Sequence, residues 1–240
     1  MPSSKQDSRI VIVAGGTGGL GRAVSLAFLN EGNTVAVSYR DQAEFDALKN
    51  AAAGNAAALS GQAVDATDES AVGRFFDSVV ARHGHIDALV NAVGGYIGGV
   101  KLWELSLADL DRMLAMNLRS GFVLARAAAK IMVKQAAGSI VNIAARAAVD
   151  PPAGASGYAA SKAAAVAMIE SLAADLKGTG VRANSVLPSI IDTAANRAAM
   201  PGADFSKWPK AEDIAHVVLF LCSDAGKLVH GASIPVYGNL

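Results

Sequence analysis

The sequence predicts a single α/β domain built on a parallel sheet with helices on both faces. Three observations carry this expectation. Short apolar or β-branched runs alternate with stretches of helical length from end to end. The runs are nearly continuous in apolar residues, as strands buried on two sides require. A cluster of glycines directly follows the first run and leads into a helix.

The first strand is read at Ile10-Val-Ile-Val13, and the helix beyond its glycines at Gly21 to Glu31. Thr34-Val-Ala-Val-Ser38 follows as a strand, then a helical stretch from Asp68 to Arg82, then a strand at Ile86-Asp-Ala-Leu-Val90. Ser106 opens a long helical pattern that runs to Gln135, with serine as the N-cap and Asp109 three residues on, the spacing of a capping box. Ser139-Ile-Val-Asn-Ile143, an alanine-rich helix from Ser161 to Leu176, Val181-Arg-Ala-Asn-Ser-Val-Leu187 and Ala232-Ser-Ile-Pro-Val236 complete the pattern. Residues 189–210 show little periodicity, and connections of that length are commonly functional lids or disordered. With no linker or repeat, residues 9–240 read as one domain behind a flexible tail at 1–8.

Composition narrows the function classes. Of the 240 residues, 52% are apolar and only 18% charged, so the core is large and the surface modest. Lysine plus arginine and aspartate plus glutamate both number 21, which leaves no net field for nucleic acid or an anionic membrane. The single cysteine, Cys222, sits in an apolar run and reads as a buried, inert thiol. The polar start from Met1 to Ser8 lacks the apolar core of a signal peptide, and no apolar stretch reaches the ~18 residues of a membrane span. A cytoplasmic protein is expected. His83, His85, His216 and His230 are scattered, and no metal site, Gly-x-Ser-x-Gly elbow or Gly-Lys-Ser/Thr loop is present.

The glycine turn is Ala14-Gly15-Gly16-Thr17-Gly18-Gly19-Leu20-Gly21. Glycines there let the backbone turn tightly and let a pyrophosphate approach a helix N-terminus, the signature of a Rossmann-type doubly wound sheet that binds a dinucleotide. The spacing fits both Gly16-x-Gly18-x-x-Gly21 and Gly15-x-x-x-Gly19-x-Gly21. After the second strand stand Tyr39 and Arg40. An acid at that point suits the ribose of NAD, whereas a guanidinium suits a 2′-phosphate, so NADP(H) is expected ahead of NAD(H), with Asp41 the nearby acid.

Tyr158-Ala-Ala-Ser-Lys162 places a phenol and an ammonium one helical turn apart on one face. A cation within reach stabilises a phenolate, and so Lys162 is expected to lower the Tyr158 phenol and tune it as a proton donor. Together with Gly15, Gly19 and Gly21, an Asp65 ending the third strand, Asn91 after the fourth and Asn117 in a long helix, this pair resembles the short-chain dehydrogenase/reductase family across Val11 to Gly238. The resemblance implies that Asp65 and Ala66 lie at the adenine and that Asn91, Ala92 and Gly94 form the turn beside the cofactor. It also implies that Pro188, the Ile191 backbone and Thr193 hold the nicotinamide carboxamide, with Lys162 on the nicotinamide ribose. Tyr158, Lys162 and Asn117 are the implied catalytic residues, Asn117 holding a water that links Lys162 to solvent, and a homodimer or homotetramer assembled through the long helices is implied too.

The chain departs from the family at the thirteenth position before the tyrosine, where a catalytic serine is usual and Ala145 stands. Asn-Asn-Ala-Gly is replaced by Asn91-Ala92-Val93-Gly94, and Pro-Gly by Pro188-Ser189. The segment from Val186 to Trp208 and the turn Val93-Gly94-Gly95-Tyr96 are locally similar to dihydropteridine reductases, which also carry alanine at the serine position. Tyr96 and Trp208 are expected to wall a flat substrate pocket with Ala145 and Ser189, Trp208 fitting a hydrophobic anchor that closes the lid equally well. The expected function is an NAD(P)H-dependent reduction of a small carbonyl or pterin-like imine with Tyr158 as proton donor and no catalytic serine. The alternative is an NADPH-binding regulatory or scaffold protein with weak or no catalysis.

Overall fold

The computed structural model describes residues 8–239, so all of the expected tail but Ser8 lies outside the described residues. Seven parallel strands form one sheet: β1 (Ile10–Ala14), β2 (Thr34–Tyr39), β3 (Leu59–Ala63), β4 (Ala88–Asn91), β5 (Gly138–Ile143), β6 (Val181–Pro188) and β7 (Ser233–Val236), in the spatial order 3-2-1-4-5-6-7. The helices are α1 (Gly19–Asn30), α2 (Gln42–Ala51), α3 (Glu69–His83), α4 (Leu107–Leu114), α5 (Ser120–Gln135), α6 (Ser156–Asp175), α7 (Ala194–Ala199) and α8 (Ala211–Cys222).

Alternation along β1 shows why the strand is apolar at every position. Val11 and Val13 pack with Val24, Phe28 and Val218 from α1 and α8, while Ile10, Ile12 and Ala14 pack with Phe76, Leu124 and Ile169 from α3, α5 and α6. Successive side chains point to opposite faces, and both faces are covered. The order of strands reverses direction between β1 and β4, so a crevice opens at their carboxyl ends, where doubly wound sheets bind ligands.

Three differences from the sequence reading bear on function. Leu59-Ser-Gly-Gln-Ala63 is a strand that its polarity conceals; as the edge of the sheet, β3 is buried fully only at Leu59 and needs no apolar run. It ends at Ala63, so Asp65 stands in the turn beyond the strand rather than ending it. The helical pattern from Ser106 to Gln135 is not one helix. It divides into α4 and α5 around a π-helical turn at Ala115–Arg119, where the Ser120 hydroxyl donates to the Met116 carbonyl at 2.6 Å. The Ser106 cap forms as expected: its Oγ accepts from Asp109 N–H at 3.0 Å and donates to Asp109 Oδ2 at 2.8 Å.

The aperiodic segment 189–210 carries α7 and a 3-10 turn at Phe205–Lys207. Its ends are tied together, with Asp192 N–H donating to the Pro209 carbonyl at 2.9 Å, and an Asp192–Arg197 ion pair at 2.6 Å braces its middle. The helix expected to start at Ser161 starts at Ser156, so Tyr158 and Lys162 both lie in its first two turns. No helix among the described residues is long and apolar enough to cross a membrane.

Candidate active site

The glycine turn joins the end of β1 to α1. A Cβ at residue 21 would lie 2.1 Å from the Gly15 carbonyl oxygen, so only glycine permits this closure. No side chain caps α1, which leaves the first-turn N–H groups of the helix facing outward with the helix dipole behind them. A groove of about 220 Å³ runs from this turn and is lined by Gly15, Thr17, Gly18, Tyr39, Arg40, Asp65, Ala66, Ala92 and Gly94 of the expected cofactor residues. Free N–H groups at a helix start, a cradle that a side chain would fill and a guanidinium at the far end suit a phosphorylated dinucleotide. The residues present therefore fit a nicotinamide nucleotide.

The remaining expected cofactor residues support the groove from behind or close it from above. Leu20 and Gly21 are buried in α1, and Gly19 faces the 189–210 segment: Thr193 Cγ2 is 2.8 Å from where a Gly19 Cβ would stand. Asn91 ends β4 and is buried; its Oδ1 accepts from Val93 N–H at 3.1 Å and its Nδ2 donates to Asn142 Oδ1 at 2.8 Å. It shapes the turn that carries Ala92 and Gly94. Pro188 ends β6, and the Ile191 carbonyl accepts from Asn196 Nδ2 at 2.8 Å.

At the adenosine end, the Tyr39 ring stacks on Phe45 at 4.8 Å and its hydroxyl donates to Gln42 Oε1 at 2.5 Å. Tyr39 is thus a wall of the groove whose hydroxyl is already committed. Asp65 accepts from the Thr67 N–H and hydroxyl, which hold its carboxyl below the ordinary value; the charges of Arg40 and Arg119 act in the same direction against partial burial. Sequence reasoning missed Glu44. From the first turn of α2 it reaches the glycine turn and accepts from Thr17 Oγ1 at 2.8 Å, placing a carboxylate in the same groove as Arg40. Only its position shortly after the Asp41 helix cap hinted at it.

At the other end, Gly94 joins the groove to Asn117 and Lys162. A Cβ there would lie 2.9 Å from Asn117 Oδ1 and 3.1 Å from Lys162 Nζ, so the groove floor touches both side chains. Asn117 is buried and sits in the π-turn between α4 and α5. Its Oδ1 accepts from Gly95 N–H at 3.0 Å, and its Nδ2 donates to the Gly95 carbonyl and to Ser161 Oγ, each at 3.0 Å. These bonds make the side chain a direct clamp on the Gly95 backbone. Such π-turns recur at functional sites, and here the widened turn is what carries the amide inward.

Lys162 is buried, and its Nζ donates to the Ile143 carbonyl at 2.9 Å. Desolvation lowers its pKa from 10.5 to about 8. Tyr158 moves the other way: burial pushes the phenol up to about 12, and Tyr96 beside it adds to the rise. The expectation that Lys162 depresses this phenol is therefore corrected, because the ammonium is engaged by Ile143 and desolvation dominates at both groups. The Tyr96 ring meets Tyr158 edge-on at 4.9 Å and 80°. Ala145 is buried in a small cluster with Ala147 and Ala159, against which Tyr158 packs, so the methyl stands beside the phenol.

Two of the expected substrate-pocket residues make other contacts. Trp208 is buried and packs at 4.9 Å on Phe205, and with Pro209, Lys210, Ile214 and Val217 it lines a cavity between the 189–210 segment and α8. The cavity it lines there is separate from the nucleotide groove. The Ser189 hydroxyl donates to the Tyr237 carbonyl at 2.8 Å and so braces the C-terminal strand. Arg146, beside Ala145, pairs with Asp150 at 2.7 Å and lies 5.2 Å over the Tyr237 ring. Among the described residues, no three His, Cys, Asp or Glu side chains cluster to hold a metal ion.

Comparison with known proteins agrees with this geometry. Residues 9–203 match the family model described as short chain dehydrogenase. The chain is 30% identical to 3-oxoacyl-(acyl-carrier-protein) reductase FabG of Thermotoga maritima, with 98% of each chain covered. It is 32% identical to D-threitol dehydrogenase of Mycolicibacterium smegmatis, covering 97% of this chain and 93% of that one. Among solved structures, a short-chain dehydrogenase/reductase from Serratia marcescens superposes with a TM-score of 0.87 at 32% identity, covering 96% of this chain and 97% of that one.

Proposed function

Because the chain belongs to the short-chain dehydrogenase/reductase family, we propose that this oxidoreductase prefers NADP(H) and reduces a small carbonyl or pterin-like imine, with Tyr158 delivering the proton and no serine assisting. One observation carries the reading: Gly94 lines the nucleotide groove and also abuts Asn117 and Lys162, which joins the groove to the lysine one helical turn from Tyr158. When bound, a reduced nicotinamide supplies the hydride. The chain's part is to hold, orient and protonate. The α1 N–H groups and the glycine turn would take the pyrophosphate, Arg40 the 2′-phosphate, and Pro188, Ile191 and Thr193 the carboxamide, with the 189–210 segment as a lid over them.

Tyr158 keeps its proton near neutral pH and so is poised as an acid. A positioned general acid supplies on the order of 10²–10⁴-fold in rate, most where its pKa lies near the operating pH, so the phenol has to be lowered as its proton leaves. As the proton leaves, the Lys162 ammonium becomes the counter-charge for the forming phenolate. Asn117, by clamping Gly95, keeps this corner fixed. Loss of a serine oxyanion donor costs on the order of 10²–10³ in kcat, less where charge spreads over a nitrogen-rich ring. FabG and D-threitol dehydrogenase are named for carbonyl and alcohol substrates, which supports testing ketones and aldehydes beside pterins.

Ala145 favours one second reading, a nucleotide-binding regulatory protein with weak or no catalysis. A homodimer or homotetramer is part of the proposal, supported by Phe122 and Val133 standing exposed on α5. The deciding experiment measures NADPH consumption against a panel of ketones, aldehydes, quinones and quinonoid dihydropterin. Turnover of any member supports the reductase; NADPH binding without turnover across the panel supports the regulatory protein.

A further inference from the structure

The position that bears a methyl at Ala145 raises the question of which hydroxyl, if any, meets the oxygen on which charge develops. The neighbouring candidates can be taken in turn. Ser161 Oγ donates to the Tyr158 carbonyl at 2.7 Å and accepts from Asn117. Ser189 Oγ is committed to Tyr237, and Ser139 Oγ to the Leu221 carbonyl. Ser156 Oγ has no partner but is sealed from solvent, where no substrate atom reaches it.

Tyr96 differs from all four. It is 63% exposed, so a substrate can reach it, and its ring edge is already packed on Tyr158 at 4.9 Å. Its place is built rather than incidental. Asn117 grips both the N–H and the carbonyl of the preceding residue, Gly95, at 3.0 Å each. Gly98 leaves the space the hydroxyl occupies, since a Cβ there would lie 2.0 Å from Tyr96 Oη. Tyr96 also acts electrostatically on the Tyr158 phenol and raises it, so the two rings are electrostatic neighbours as well as packed ones.

The geometry points to Tyr96 as a second catalytic residue, whose hydroxyl supplies the oxyanion hydrogen bond that Ala145 cannot. This rests on the reductase reading above. Tyr96 donates a hydrogen bond and retains its proton; the proton that moves to substrate oxygen is that of Tyr158. The clamp by Asn117 then has a second consequence, since it fixes the donor as well as the nucleotide groove.

The test is a cycle of Tyr96→Phe, Ala145→Ser and the double variant, assayed on a ketone with NADPH, alongside NADPH affinity by fluorescence. Tyr96→Phe keeps the ring contact, and its thermal melt reports the fold; Tyr96→Leu, which removes ring and hydroxyl together, separates stacking from hydrogen bonding. Tyr96→Phe is expected to lower kcat by on the order of 10²-fold with KM and NADPH affinity little changed. Ala145→Ser should restore about tenfold or more in the Phe background and far less in the wild type, the non-additivity of two donors serving one oxygen. Tyr96→Phe within about threefold of wild-type kcat, or equal gains from Ala145→Ser in both backgrounds, overturns the inference and leaves the reductase reading intact. A wild type that binds NADPH and turns over no substrate rejects that reading first, and the role of Tyr96 with it.

Discussion

Lys162→Met tests the account of the buried ammonium through stability alone. The native lysine titrates near about 8 and an unfolded one near 10.5, a gap of 2.5 pH units set by desolvation. Between those values the unfolded chain binds the extra proton, so wild-type stability rises as pH rises through this window. Linkage puts the gain at about 2 kcal/mol between pH 8 and pH 10. Methionine carries no such dependence. It leaves the Ile143 carbonyl without its donor, which costs about 1–3 kcal/mol at every pH and so offsets the curve without tilting it. The assay is urea denaturation of both proteins at fixed concentration from pH 7 to pH 10, taking the difference between them so that other groups cancel. Stopping at pH 10 keeps Tyr158, raised to about 12, protonated in the native state, and its own loss of stability above the ordinary value of 10 stays outside the window. A difference that stays flat across the range would mean that Lys162 is not desolvated as described.

Three further outcomes are expected. Arg40→Ala should weaken NADPH by on the order of tenfold to a hundredfold, the worth of hydrogen bonds to a charged group, and NADH far less; equal losses would remove Arg40 from the phosphate. Gly21→Ala should abolish measurable nucleotide binding and lower the melting temperature, because its Cβ would meet the Gly15 carbonyl oxygen at 2.1 Å. Light scattering should give a dimer or tetramer, and a monomer would leave Phe122 and Val133 without the role assigned to them.

Much of the fold was legible because two-sided burial writes itself into sequence. Ile10 to Ala14 is apolar at every position for that reason alone. Where burial is one-sided the signal fades, and β3, an edge strand with Gly61 beneath Phe45, reads as a polar stretch. The glycine turn was legible because its backbone tolerates no Cβ at residue 21. Glu44 was not, because an acid in the first turn of a helix is ordinary and only the fold carries it to Thr17. The sign of the Tyr158 shift was misread for a similar reason: spacing places Lys162 on the same helix face but says nothing of Ile143, whose carbonyl engages it. Trp208 shows the same limit, since aromatic character suits a pocket wall and an anchor equally, and only the fold shows that it packs on Phe205 and lines a cavity apart from the nucleotide groove.

The central claim is that Tyr158 delivers the proton in a nucleotide-dependent reduction, and comparing NADPH oxidation by wild type and Tyr158→Phe on one responsive substrate tests it most directly. The account predicts a fall in kcat of on the order of 10²-fold or more with NADPH affinity unchanged. Equal kcat in the two proteins would contradict it.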